Sequence, residues 1–408
     1  MTIDSSEIAG VETKRCPYPF PANDLDRLAS TYAGLRANEP ISVVTLPSGD
    51  TAYLVTRYAD AQLVLSDRRF STNLNRPEAA RLREGEDGNL NLPYADDPAW
   101  HLRWRKLLAR EFVPQRMAAV RGRIGEIANE LADDMARRKP PVDLLETFAF
   151  ALPARAICDF LGIPAIEQRQ VREWIDIVTT TGEDDAGKRT AAGIAMRDYA
   201  LALAETKRKQ PGEDLITGLV AVRDDTEDDR LNEDELILTI MALIVGNNCN
   251  TGRQIGQGMF MLLSSPGYLD ALRTDRALLP AAVEELLRAT PLYTPLGRFA
   301  TEEVKIGDVV IPRHATVLVA RESANRDSAW ISDPERFDIQ RTDASRHLAF
   351  GYGPAFCIGA AFGRLQMECA FEALLDRFPR LRLAVPAEEI TWTYRLVGSG
   401  PDAVPVAW

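Results

Sequence analysis

One segment concentrates the residue types that could do chemistry: His347-Leu-Ala-Phe-Gly-Tyr-Gly-Pro-Ala-Phe-Cys357-Ile-Gly359, followed by a helical stretch. Gly351 and Gly353 permit a tight, left-handed turn, and Gly359 lets the backbone approach something flat and bulky. A cysteine beside a helix start meets the positive end of the helix dipole and free N–H groups. Both favour thiolate over thiol. Such a thiolate is a nucleophile or a metal ligand. Most lone cysteines are instead small buried hydrophobes, and Cys158 and Cys369 are read that way.

Two further constellations could act on charge. His101-x-x-x-Arg105 places an imidazole and a guanidinium on one helix face, where they can hold carboxylates. Glu285-Leu-Leu-Arg288 sets an acid and a base three apart, which alone is an ordinary helical pair.

The elements that must position these residues are mostly helical. Apolar spacing predicts helices over Tyr58–Leu65, Ala118–Arg138, Glu167–Thr180, Ala191–Lys209, Glu233–Leu263, Leu278–Arg288 and Gly359–Phe378. Ile41–Leu46 and Thr51–Thr56, around Pro47-Ser48-Gly49-Asp50, predict a hairpin. A second β-rich zone covers Phe299–Ile311 and Thr316–Ala320, and Leu381–Trp408 reads as terminal strands. Asn73–Asp97 is polar and reads as a long loop, a length that is usually functional or disordered. Helix exceeds strand without strand–helix alternation, so the fold class is mainly α with small β-sheets. No repeat or linker divides residues 1–408, which are read as a single domain.

The 408 residues can bury a large core and a cofactor. A net charge of −12 argues against nucleic acid as a partner. Met1 to Pro21 does not resemble a signal peptide, and the longest apolar run, Leu236–Val245, is too short for a membrane span. Five scattered cysteines without paired spacing fit a reduced, cytoplasmic protein.

The pattern Phe350-Gly351-x-Gly353-x-x-x-Cys357-x-Gly359 resembles the heme-binding signature of cytochromes P450, and the likeness runs over nearly the whole chain. The resemblance implies a P450 fold, heme b (iron protoporphyrin IX) as cofactor, and Cys357 as axial thiolate and metal ligand, pushing electron density onto the iron. Phe350, Gly351 and Gly359 are implied to cradle the heme, and His101, Arg105 and Arg298 to bind its propionates. Glu285, Arg288 and Arg336, the last within Pro334-Glu-Arg336-Phe337, are implied to form the family's structural ion-pair triad.

Two departures stand out. The family usually carries His or Arg two residues before the cysteine, touching a propionate; here the residue is Ala355. The family's central helix carries Ala/Gly-Gly-x-Asp/Glu-Thr above the heme, where the acid and alcohol help deliver protons during turnover. This chain has Val245-Gly246-Asn247-Asn248-Cys249-Asn250-Thr251, so Asn248 replaces the acid and Cys249 the alcohol, while Gly246 still permits a kink. An amide does not titrate usefully, and a thiol is a poor donor. Thr251 lies about 200° round the helix from Cys249. Asn248, Cys249 and Asn250 are therefore the catalytic candidates, with Asn248 or Asn250 holding relay waters or a substrate donor completing the relay.

The departures leave two reactions open: oxidative C–C or C–N coupling of an aromatic or cyclic-dipeptide substrate, and conventional hydroxylation of a natural product through water. Leu381–Trp392 and Asp67–Ser71 are similar to segments of bacterial P450s that act on cyclic dipeptides. Substrate contacts are expected from the Asn73–Asp97 loop, the helices around Glu167–Lys209, and Asn247, Leu292, Tyr293, Leu296 and Val397. A ferredoxin-type redox partner is implied, drawn to Arg103, Lys106, Arg110 and Arg364 on the proximal face. Readings from other classes are a P450-fold recruitment domain without heme and a heme sensor without turnover.

Overall fold

A computed structural model describes residues 16–20, 25–82, 98–179, 186–224, 231–290, 295–393 and 399–408. Its spine is a helix of 32 residues, Glu233–Ser264. The Asn232 side chain accepts from the Glu235 N–H at 2.8 Å, and the Glu235 carboxylate accepts from the Asn232 N–H at 2.7 Å. This reciprocal cap closes the first turn, where Glu233, Asp234 and Glu235 also oppose the positive end of the helix.

In chain order the helices are α1 (Leu25–Asn38), α2 (Tyr58–Ser66), α3 (Pro98–Ala109), α4 (Pro114–Ala136), α5 (Ala151–Leu161), α6 (Gln168–Thr179) and α7 (Ala186–Lys209). They continue with α8 (Leu215–Asp224), α9 (Glu233–Ser264), α10 (Pro266–Thr274), α11 (Leu279–Ala289), α12 (Arg321–Ala324) and α13 (Ala360–Arg377). The expected helices are present with ends shifted by a few residues. α1, α5, α8, α10 and the short α12 add to them.

The strands are short. β1 (Cys16–Pro17), β2 (Ile41–Thr45), β3 (Thr51–Val55) and β4 (Phe70–Ser71) precede β5 (Val142–Asp143), β6 (Leu296–Ala300), β7 (Val304–Ile306), β8 (Val309–Ile311) and β9 (Thr316–Val319). β10 (Arg382–Leu383), β11 (Trp392–Thr393), β12 (Gly400–Pro401) and β13 (Pro405–Ala407) close the chain. The largest sheet has the order β1-β2-β3-β9-β6-β4. The predicted hairpin forms its second and third strands, with Ile41 opposite Val55 and Thr45 opposite Thr51. Strand β9 joins this hairpin to β6, pairing parallel to β3 and antiparallel to β6.

These elements bury one main core among the helices, including Phe148, Phe362, Phe371 and Leu374, and a second against the sheet around Val55, Val64 and Val319. Helix α13 lies across α4, where Arg121 bridges Glu368 and Glu372 at 2.6 Å each. α3 is tied to the start of α9: Glu235 accepts from Trp100 Nε1 and from Arg103, and Trp104 Nε1 donates to Thr239 Oγ1 at 2.8 Å. The helix bearing His101 and Arg105 is thus fixed to the central helix, and the loop before α13 meets it where Arg105 donates to the Phe356 carbonyl.

Candidate active site

Backbone bonds shape the 347–359 loop before any side chain acts. The Gly351 N–H donates to the Leu348 carbonyl and the Cys357 N–H to the Phe350 carbonyl, both at 2.9 Å. Gly351 and Gly353 have φ of 76° and 70°, so the left-handed turn is present at positions where other residues are strained. At Gly353 a Cβ would also come within 2.9 Å of the Leu65 carbonyl oxygen. Gly359 has a φ of −83° and caps α13. A Cβ there would stand 3.9 Å from the Cys357 sulfur, an ordinary contact, so Gly359 lies beside the sulfur without being required by its space.

Cys357 is exposed, whereas Cys158 and Cys369 are buried, with thiols that burial pushes up to about 12. Protein nonetheless surrounds Cys357. Burial raises its thiol pKa, against the Gly359 N–H and the charges of Arg105, Arg321 and Arg364, which lower it. This corrects the expectation from the helix dipole. α13 begins at Ala360, so Cys357 lies ahead of the first turn and desolvation wins. A metal ion deprotonates a coordinating thiol outright, so the thiolate is a property of the loaded site.

Three basic residues converge near the loop. Arg105 donates through Nη1 to the Phe356 carbonyl. The His101 ring is pushed toward its neutral form by burial and then by the charges of Arg105 and Arg298. Arg298 is buried, and desolvation alone draws its pKa down to about 10. Its hydrogen bond is from Nη1 to the Gly297 carbonyl at 2.8 Å, and no carboxylate of the described residues pairs with it. A buried guanidinium without an anion costs the fold stability. Grouped with His101 and Arg105, it makes a donor set that fits an anionic group carrying more than one carboxylate.

The loop and its cations thus define a heme-thiolate protein by fold and site. The family model for cytochrome P450 matches residues 196–386. The chain is 36% identical over 398 residues to mycinamicin IV hydroxylase/epoxidase of Micromonospora griseorubida, covering 96% of this chain and 99% of that protein. It is 38% identical to nocardicin C N-oxygenase of Nocardia uniformis subsp. tsuyamanensis, covering 96% and 98%. The crystal structure of SgvP, a putative thioether synthase of griseoviridin tailoring, superposes with a TM-score of 0.89 at 36% identity, covering 97% of this chain and 100% of that one. The chain belongs to the cytochrome P450 family. It is an oxidoreductase whose cofactor is heme b, and heme bound through a cysteine thiolate supplies dioxygen activation.

The ion-pair triad is present with one change of member. Glu285 and Arg288 form a fully buried bidentate pair at 2.6 and 2.7 Å. The third partner is Arg341, at 3.4 Å from Glu285 Oε1. Arg336 turns outward to Asp338 at 3.1 Å and contributes its carbonyl to Arg288 and Arg341. The expected role of the Arg336 side chain is therefore taken by Arg341, because the chain after Arg336 reverses and brings residue 341 back under Glu285.

Asn247 also departs from expectation. Its Nδ2 donates to the Pro153 carbonyl at 3.0 Å, and its Oδ1 accepts from Gln366 Nε2 at 2.9 Å. Both ends of the amide are committed to α5 and α13, so it links helices and does not offer substrate contacts. An accessible line of α9 runs instead through Ala242, Gly246 and Asn250, spaced four apart and exposed, among described neighbours that are half-buried or buried. α9 passes through Gly246 as unbroken helix, and a Cβ there would meet nothing within 4 Å. The side chains of Asn248 and Cys249 lie outside the described ones, as do Leu292, Tyr293, Val397 and residues 83–97.

Leu296 opens β6 and touches the loop, with its Cδ1 3.5 Å from a Cβ built on Gly351. The expected basic patch is partly spent internally. Arg103 pairs with Glu235, and Arg364 pairs with Glu284 while lying 4.6 Å over the Phe350 ring. Lys106 and Arg110 remain exposed. Sequence reasoning passed over Arg321, Glu284, Arg341 and Gln366. The two charges Arg321-Glu322, one residue after the buried strand β9, are the signal that could have drawn attention to the first.

Proposed function

We propose that this P450 oxidises a small hydrophobic natural product of secondary metabolism, joining two positions of an aromatic or cyclic-dipeptide substrate through a C–C or C–N bond. Asn250 carries the reading. It shares the accessible line of α9 with Gly246, next to the position where the family presents an alcohol. An amide neither titrates at neutral pH nor relays a proton as a hydroxyl does. In coupling, the substrate gives up two hydrogens, and dioxygen leaves as two waters after taking them with two electrons and two further protons. No oxygen enters the product. Tailoring activities among the relatives, including N-oxygenation and a putative thioether synthase, support a substrate rich in heteroatoms.

A second reading is oxygen insertion through water held by Asn250, favoured by relatives that are hydroxylases and epoxidases. Turnover under heavy-isotope oxygen separates the two: an unlabelled product lighter by two hydrogens supports coupling, and label in the product overturns it. Asn250→Thr is expected to raise the labelled, hydroxylated fraction several-fold, read by mass spectrometry. A reduced CO complex with the red-shifted Soret band, together with turnover, excludes the recruitment-domain and sensor readings.

Within this reading His101, Arg105 and Arg298 hold the propionates, with Phe350, Gly351 and Gly359 against the macrocycle. Arg298→Met is then expected to speed heme loss to a heme scavenger by about tenfold, one lost charged hydrogen bond being worth ~1.5–3 kcal/mol. The unfolding midpoint of the heme-free chain should hold or rise. The sign follows from the cation's lowered pKa, which makes its charge a destabilising burden at every pH below about 10. Electrons come from a ferredoxin-type partner, received where Lys106 and Arg110 stay exposed and Leu102 stands 70% exposed beside them. No helix of the described residues is long and apolar enough to cross a membrane. A single cytoplasmic domain is the setting proposed.

A further inference from the structure

Arg321 lies at the junction of β9 and α12 and is 7% exposed. Its Nη1 donates to the carbonyl of Ala349, one residue before Phe350. The same short helix holds the loop a second time, through Asn325 Oδ1, which accepts from the Leu348 N–H at 2.7 Å. Buried groups pin α12 in turn. Glu322 accepts from the hydroxyls of Tyr32 and, at 3.5 Å, Tyr18. Arg36 Nη1 donates to Ser323 Oγ at 3.0 Å, and Arg288 Nη1 to the Asn325 carbonyl at 3.3 Å. Arg321 is thus a rigidly mounted cation. Burial works against its charge, which the adjacent Glu322 and then Cys357 favour.

The position matters because this chain has Ala355 where the family places a cation. Of the guanidiniums whose charge reaches Cys357, Arg105 comes from α3 and donates to the Phe356 carbonyl, while Arg364 is neutralised by Glu284 in a bidentate pair. Arg321 holds the stretch that leads into the turn, at the Ala349 carbonyl, whereas Arg105 holds the stretch just before the cysteine. Desolvated charges interact far more strongly than exposed ones.

We propose that Arg321 is a positioning residue of the heme-thiolate site: it clamps the entry of the cysteine loop and supplies the proximal positive charge missing at Ala355, which raises the reduction potential of the iron. A cation near the thiolate stabilises the reduced centre, which carries one more electron. Its removal therefore disfavours reduction, whichever reaction the enzyme performs.

The test is spectroelectrochemical titration of the heme-loaded protein, comparing wild type with Arg321→Met, Arg321→Gln and Arg321→Lys. Met and Gln are expected to move the midpoint to more negative potential, changing the ferric-to-ferrous ratio at a fixed potential by about tenfold. The share of the CO complex absorbing near the inactive, blue-shifted Soret position should rise with it. Lys, which keeps the charge, is expected to hold the midpoint at the wild-type value. A wild-type midpoint in Met or Gln overturns the proposal. So does a Lys variant shifted as far as Met, since that would reduce the role to packing. Should Met and Gln fail to retain heme, the Lys midpoint alone decides: unchanged supports the charge role, and shifted overturns it.

Discussion

Replacing Glu285 with glutamine is expected to cost about 3–5 kcal/mol of stability and to leave little heme-loaded protein, because one partner of a buried ion pair is removed while the other stays. Arg288 is 1% exposed, and its guanidinium spends Nε and Nη2 on Glu285. The acid also accepts from the Asp338 N–H at 2.9 Å and lies 3.4 Å from Arg341. Glutamine offers one acceptor oxygen and turns an NH2 group toward a guanidinium, leaving donors facing donors. The loss should exceed that of Arg336→Ala, whose side chain is exposed and, among the described residues, pairs with Asp338. Chemical unfolding of both variants measures the gap. Equal costs would make Arg336, and not Arg341, the third member of the triad.

That comparison shows what was legible in the sequence. Glycines at 351 and 353 require one backbone conformation, and the resemblance carried by the pattern around them chose axial ligation over nucleophilic attack for the cysteine that follows. The long helices were legible for a similar reason, since periodicity survives any packing. Rotation about a helix axis was not. Asn247, Asn248 and Asn250 are the same residue type within one turn. Only packing against Pro153 and Gln366 shows that Asn247 faces away from the accessible line while Asn250 lies on it. The triad failed in the same way, because Arg336 and Arg341 are separated by a reversal that spacing does not record. Helix α1 carried its signal in Leu28, Tyr32 and Leu35 at helical spacing, all three in the core formed with β2 and β3. Exposure could not be read either. Lys106 and Arg103 look alike in the sequence, and only the fold shows that Lys106 is exposed while Arg103 sits against the buried Glu235.

Cys357→Ser is expected to abolish the red-shifted Soret band of the reduced CO complex and all dioxygen-dependent turnover, while the unfolding midpoint of the heme-free chain stays within about 1 kcal/mol of wild type. The two halves of this expectation have separate grounds. Serine replaces sulfur with a hydroxyl that is not deprotonated at neutral pH and cannot push electron density as a thiolate does. The fold does not lean on the sulfur. Cys357 is exposed, and its backbone N–H already bonds the Phe350 carbonyl. The turn around it is set by Gly351 and Gly353, and the loop is clamped by Arg321 and Asn325. Cys369, by contrast, is 2% exposed in the core, so Cys369→Ser should cost stability and spare the spectrum. Absorption spectra and unfolding curves on both variants separate the ligand from the core cysteine. A Cys357 variant that kept the red-shifted band would remove the axial ligand from this loop, and with it the assignment of every cation around it.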